Sequence, residues 1–146
     1  MAYPSTHALR AGAVLIALGG LAPAAAQDAA GEKALARETA DATVDWGPCP
    51  GFMPEGCGIA VMHGDPAEES TDILFRLDGN TTAPRHWHHS AERMVLLTGE
   101  MEVDYDGQEP VVLERRMYAY GPPELPHSAT CTSSGPCVLF IAFEEP

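Results

Sequence analysis

The sequence predicts an all-β sandwich or small barrel, preceded by an extension that carries no core of its own. Three observations support this. After Gly58, short apolar or alternating runs recur about every eight to twelve residues, each ended by a turn cluster. The chain holds 14 Gly and 13 Pro among its 146 residues, enough to punctuate such a pattern. No helical period of useful length follows Asp45.

The runs read as strands in order. Ile59–Met62 comes first and turns at His63-Gly64-Asp65-Pro66. Asp72–Leu77 alternates and turns at Asp78-Gly79-Asn80. Arg85–His88 is extended, and Arg93–Leu97 is an apolar strand ended by Thr98-Gly99. Met101–Tyr105 alternates Met, Val and Tyr with Glu and Asp, then turns at Asp106-Gly107. Val111–Leu113, Met117–Tyr120, Ser128–Cys131 and Val138–Phe143 complete a set of roughly nine. Met94, Leu96, Phe140 and Phe143 are expected in the core.

The chain before this domain divides in two. Residues 1–26 read as a secretory leader: Arg10 precedes the apolar run Ala11–Leu21, and small residues end at Ala26. That run is too short to span a bilayer stably, although a buried helix or a retained anchor are the competing readings. Residues 27–58 form an extension. GEKALARETA has helical composition, as a loose helix or a flexible lead-in, and Trp46–Gly58 is loop-like, packed down by Trp46 and Phe52. Residues 59–146 are the β-domain, and the expected location is periplasmic or secreted.

All 21 acidic residues follow the leader, and the formal charge of the chain is −13. Such a surface repels nucleic acid and anionic lipid, so neither nucleic acid nor membrane is expected as a partner once the leader is removed. Four cysteines in an exported chain suggest disulfides. Cys49–Cys57 and Cys131–Cys137 are favoured because each closes a short Gly- and Pro-containing loop. Cross-pairing and a thiolate metal site are the alternatives. Neither pair has the two-residue spacing of a zinc knuckle.

The segment most telling for chemistry is His86-Trp87-His88-His89-Ser90-Ala91-Glu92. On a strand, His86 and His88 share a face, with Trp87 and His89 opposite. Ser90-Ala91 is small enough to turn the chain and return the Glu92 carboxylate to that face. His127 opens a late strand that an antiparallel sheet can bring alongside. Imidazoles with one carboxylate suit a transition metal. His89 reads as a rim residue, or as a replacement for His88 if a bulge shifts the register. His63 reads as a turn residue, and Arg85 and Arg93 as partners in surface ion pairs.

His86-x-His88-x3-Glu92-x6-Gly99 resembles the first motif of the cupin family, and Pro122 and His127 fall at the proline and histidine of its second motif. Three motif glycine positions hold other residues: Asn80, with Gly79 one place early, then Arg116 and Glu124. Cys131 stands at the closing asparagine position.

The resemblance implies a double-stranded β-helix, or jelly roll. It implies one divalent metal (iron, manganese, nickel, copper or zinc) on His86, His88, Glu92 and His127. Three imidazoles disfavour magnesium and calcium. By the same analogy the chain pairs as a homodimer.

Three functional readings follow. The first is a small metal-dependent oxygenase resembling quercetinase-like cupins, an oxidoreductase in which Glu92 accepts a proton from a small-molecule substrate. The second is a module that binds a metal or small ligand without turnover. The third is a metal-dependent isomerase, lyase or hydrolase. Room for a substrate beside the ion favours an enzyme. Closure of that space by His89 or Glu124 counts against one.

Overall fold

In the computed structural model, residues 33–40 and 43–145 are described, so the leader lies outside the described residues. Residues 36–145 belong to one compact unit. Ten strands form two antiparallel sheets, and the described residues contain no α-helix. None of their helices is long and apolar enough to cross a membrane.

The strands are β1 (Gly47–Pro48), β2 (Gly58–His63), β3 (Thr71–Leu77), β4 (Thr82–His86), β5 (Glu92–Thr98), β6 (Met101–Tyr105), β7 (Val111–Leu113), β8 (Tyr118–Gly121), β9 (His127–Cys131) and β10 (Cys137–Phe143). The larger sheet runs β1-β2-β3-β10-β5-β8 and the smaller β4-β9-β6-β7. This is a jelly roll of two facing sheets.

Eight of the nine expected strands are present near their expected bounds, and the ninth, Arg85–His88, is displaced: β4 runs Thr82–His86 and shares only Arg85 and His86 with it. The reading misses β1, two residues that pair Gly47 with Ile59 and Pro48 with Gly58. Residues 33–40 form no regular structure, so helical composition there does not become a helix. A short isolated segment cannot offset the cost of helix nucleation without packing.

Alternation along the strands puts one face of each sheet into a shared core. Ile73, Phe75, Leu77, Met94, Leu96, Leu139 and Ile141 from the larger sheet meet Met101, Val103, Tyr105, Ala129 and Cys131 from the smaller. A second cluster lies on the outer face of the larger sheet. There Ala60, Leu74 and Val138 are covered by Val44, Trp46, Met62, Leu97 and Phe140. With Val44 and Trp46 of the extension on the outer side, both faces of β3 are covered, and its Leu74 and Leu77 are fully inaccessible.

Trp46 packs as expected. A Cβ on Gly58 would meet its ring at 3.1 Å, so only glycine fits beneath it without displacement. Phe52 does not pack down: it is 57% exposed. The disulfides are Cys49–Cys57 and Cys131–Cys137, and the described residues hold no free cysteine.

The three missing motif glycines have a conformational counterpart. Asn80, Arg116 and Glu124 all have positive φ, at 58°, 75° and 59°. Each is held there by its own amide: Asn80 donates to Cys131 O, Arg116 to Leu96 O and Glu124 to His88 O, at 2.9, 2.7 and 2.7 Å. The loops keep a left-handed shape without glycine, at a cost of about 1–2 kcal/mol per side chain.

Arg116→Gly and Glu124→Gly are each expected to stabilise the fold by about 0.5–1 kcal/mol, the relief of strain less the greater unfolded-state freedom of glycine. Asn80→Gly changes less, since asparagine tolerates this conformation. Urea unfolding of the three variants is the check. A midpoint for Arg116→Gly and Glu124→Gly at or below that of the parent would show that the strain is absent.

Candidate metal centre

Strand pairing assembles most of the site. His86 ends β4 directly opposite His127 at the start of β9, and His127 lies opposite Tyr105 at the end of β6. Residues paired across neighbouring strands point to the same face. The three side chains therefore form a row across the smaller sheet, with ring centroids 4.5 Å apart for His86–His127 and 5.0 Å for Tyr105–His127.

His88 joins by a different route from the one its spacing suggests. The strand stops at His86 after a register irregularity, so His88 is not the next in-facing strand residue. The chain leaves the sheet at Trp87 and folds His88 back, 4.9 Å from His86 and 5.5 Å from His127. Trp87 and His89 are exposed and pack on each other edge to face at 4.8 Å.

Glu92 comes from the opposite sheet. It opens β5, paired with Gly121 and Phe143. Buried Ser90 fixes the intervening turn: its hydroxyl donates to Ala91 O at 2.9 Å and accepts the amides of Glu144 and Glu145 at 2.9 and 3.0 Å. Gly121 is also required. A Cβ there would stand 2.8 Å from Tyr105 Oη and 3.0 Å from Glu92 Oε2, so both oxygens crowd the space a side chain would fill.

The donor set suits a metal ion. One nitrogen from each of His86, His88 and His127 lies within 4.8 Å of the others, so the group can hold one ion. His86 Nδ1 is 2.7 Å from Pro84 O and His127 Nδ1 is 3.1 Å from Leu125 O. A carbonyl only accepts, so both Nδ1 atoms carry the hydrogen and both Nε2 lone pairs are free for a ligand bond. Glu92 Oε1 is 3.3 Å from His88 Nε2, and Oε2 is 3.6 Å from His127 Nε2.

Burial sets the charge of the site. Desolvation, with smaller contributions from His86 and His127, lowers the His88 pKa to about 4. Desolvation lowers His127 as well, against the opposing pull of its bond to Leu125 O. Desolvation raises Glu92 to about 7. His88 is therefore neutral at neutral pH, as a metal ligand must be, and its approach to Glu92 is not an ion pair. Tyr105 is raised above its ordinary value by burial first and by Glu92 second.

The group opens onto a cavity of about 550 Å³. Its walls are apolar, with Phe75, Met94, Val103, Leu139 and Ile141 among them. Phe52 reaches over from the disulfide-closed loop to lie 5.9 Å from His86. Phe143 is only partly buried and faces His88 at 5.4 Å, so it belongs to the cavity wall rather than to the sealed core.

Glu124 does not line this space, and His89 lines it without sealing it. They face each other at 3.8 Å with side chains 70% and 72% exposed. His63 lies outside the imidazole group, at the end of β2. Arg85 pairs with Asp104 and Asp106, and Arg93 with Glu144, all at exposed positions. The site residue that sequence reasoning missed is Tyr105. The alternation of β6 marks it as inward-facing, but only the pairing with β9 places it beside His127.

The family model described as Cupin domain matches residues 73–143, which contain His86, His88, His127 and Glu92. Residues 73–143 form a cupin domain. Solved cupin-type structures agree with the fold. An RmlC-like cupin from Shewanella frigidimarina superposes with a TM-score of 0.59 at 19% identity, over 73% of this chain and 87% of that one. KdgF from Halomonas sp. gives 0.59 at 16% identity, over 73% and 93%. The DMSP lyase DddQ from Ruegeria pomeroyi gives 0.60 at 18% identity, over 70% of this chain but only 57% of the lyase. The chain matches no curated protein sequence.

Proposed function

We propose that this protein is an exported, metal-dependent enzyme acting on a small organic molecule, with oxygenase-type chemistry as the leading reading. The observation that carries it is the roomy cavity directly beside three imidazoles whose donor atoms converge. A module that only stores or senses a metal needs no such space, so that form of the binding-only reading is the weaker one, whereas capture of a small ligand without turnover would use the same cavity.

His86, His88 and His127 hold the ion, with Glu92 as a fourth ligand or as a base beside it. Bound in this shell, iron, manganese, nickel, copper or zinc supplies Lewis-acid or redox chemistry to a molecule alongside. The apolar walls exclude water and strengthen electrostatic interactions within the cavity. Glu92 can take a proton from a substrate hydroxyl or enol, being buried and close to its midpoint at neutral pH. Export rests on the leader-like residues 1–26 and fits the two disulfides, which persist in oxidising compartments.

One observation favours a second reading. Glu92 and Tyr105 place two proton-handling groups on one side of Gly121, as a lyase or isomerase requires and an oxygenase need not have. Metal analysis of the purified protein, with oxygen uptake against a panel of phenols and enolates, separates the readings. Substrate-dependent oxygen consumption supports the oxygenase. Equal turnover without oxygen, retained with zinc, supports the lyase or isomerase. A panel with no turnover, on protein that binds one ion per chain, favours the binding module.

A further inference from the structure

The cavity walls are mainly apolar, and of the three side-chain hydroxyls that line it two are already committed. The Thr71 hydroxyl donates to Asp65 O at 2.5 Å. The Ser90 hydroxyl is saturated by one carbonyl and two amides. Tyr105 is different. It is 8% exposed, lines the cavity, and its hydroxyl has no hydrogen-bond partner among the described residues. A hydroxyl that faces a cavity and bonds no other described residue is free to meet a bound molecule.

The lining also excludes ligand classes. It contains no lysine or arginine, whereas Glu68, Glu92 and Glu145 contribute carboxylates. A phosphate or polyanion would find no countercharge there apart from an ion on the imidazoles. A sugar would set most of its hydroxyls against apolar walls, with only the Glu68, Glu92 and Glu145 carboxylates, the imidazoles and Tyr105 to meet them, at a desolvation cost. An apolar molecule with a single oxygen fits both constraints.

We infer that the cavity binds an uncharged, mainly apolar molecule carrying one carbonyl, phenol or enol oxygen, and that Tyr105 donates its hydroxyl hydrogen to that oxygen. This rests on reading the cavity as the substrate site. Since Tyr105 stands next to His127 and shares the face of Gly121 with Glu92, it holds the oxygen-bearing end against the imidazole group. Tyr105 is thus a residue that orients substrate and selects for one oxygen.

The test compares p-cresol with p-xylene, which differ by a hydroxyl in place of a methyl group. Binding is measured by saturation-transfer NMR on the purified protein and again after dialysis against a chelator. In both forms p-cresol is expected to bind about tenfold more tightly, the worth of one hydrogen bond to an otherwise unpaired group. Tyr105→Phe removes that preference and leaves p-xylene affinity unchanged. Glucuronate and inorganic phosphate do not displace p-cresol from the chelated protein.

An unchanged p-cresol to p-xylene ratio in Tyr105→Phe overturns the assignment, as does loss of the preference on chelation. Displacement by glucuronate overturns the ligand class. The metal reading is tested separately, by metal content when the imidazoles are removed, so either can fail without the other.

Discussion

Replacing His86 and His88 together by alanine is expected to abolish metal uptake while leaving the β-sandwich folded. Two of three converging nitrogen donors disappear, and a lone imidazole with one carboxylate is a poor site for a transition metal. Both side chains are only partly buried and lie at and beyond the end of β4, outside the sealed core. His127 is the wrong residue for this experiment. It is 6% exposed and paired with both neighbouring strands, so its removal would confound binding with folding. The measurement is metal content after reconstitution and dialysis, with circular dichroism as the control for the fold. The parent should retain about one ion per chain and the double variant only background. A normal metal content in the variant would end the metal assignment.

Glu92→Gln carries the second large effect, and its sign depends on pH. Burial holds the Glu92 carboxyl at about 7, above its ordinary 4.5. In the metal-free protein its contribution to stability is fully present below about 4.5 and is lost as pH rises through 7, because the fold disfavours the charged form. At pH 8 the neutral glutamine should therefore make the metal-free protein more stable, by up to roughly 3 kcal/mol.

Metal binding runs the other way. If Glu92 is a ligand, it must shed its proton below pH 7, so parent affinity rises with pH across that range more steeply than that of the variant. His88, lowered to about 4, adds no difference there. If Glu92 is also the base, turnover in the variant falls by about 10²–10⁴. Urea unfolding of the stripped proteins and metal titrations at pH 5.5, 6.5 and 7.5 are the checks. Coincident pH slopes would remove Glu92 from the ligand set. A variant no more stable at pH 8 would show that the carboxylate is not held in a desolvated place.

The strands were legible because period-two alternation and Gly or Pro punctuation are local signals, and Met101–Tyr105 and Val111–Leu113 match to the residue. Gly47–Pro48 was not legible, since a two-residue pairing depends on its partner strand rather than on its own composition. The convergence of His86 and His88 could be read from spacing, yet the route could not: strict alternation supposes a continuous strand, and this one stops at His86. Tyr105 shows the same limit. Its inward orientation is local, but its neighbours come from β9 and β8, which lie far away in sequence. At Asn80, Arg116 and Glu124 the sequence lacks the motif glycines. The backbone keeps the left-handed turns, because amide bonds to distant carbonyls hold them there.

Glu92 stands on one leaf of the sandwich, whereas His86, His127 and Tyr105 stand on the other. The thickness of the hydrocarbon filling, set by side chains such as Met94 and Met101, therefore fixes how far the acid sits from the nitrogens it serves. A bulkier or slimmer filler would open or narrow that jaw without altering any reactive group, so reactivity in this scaffold is adjustable from within.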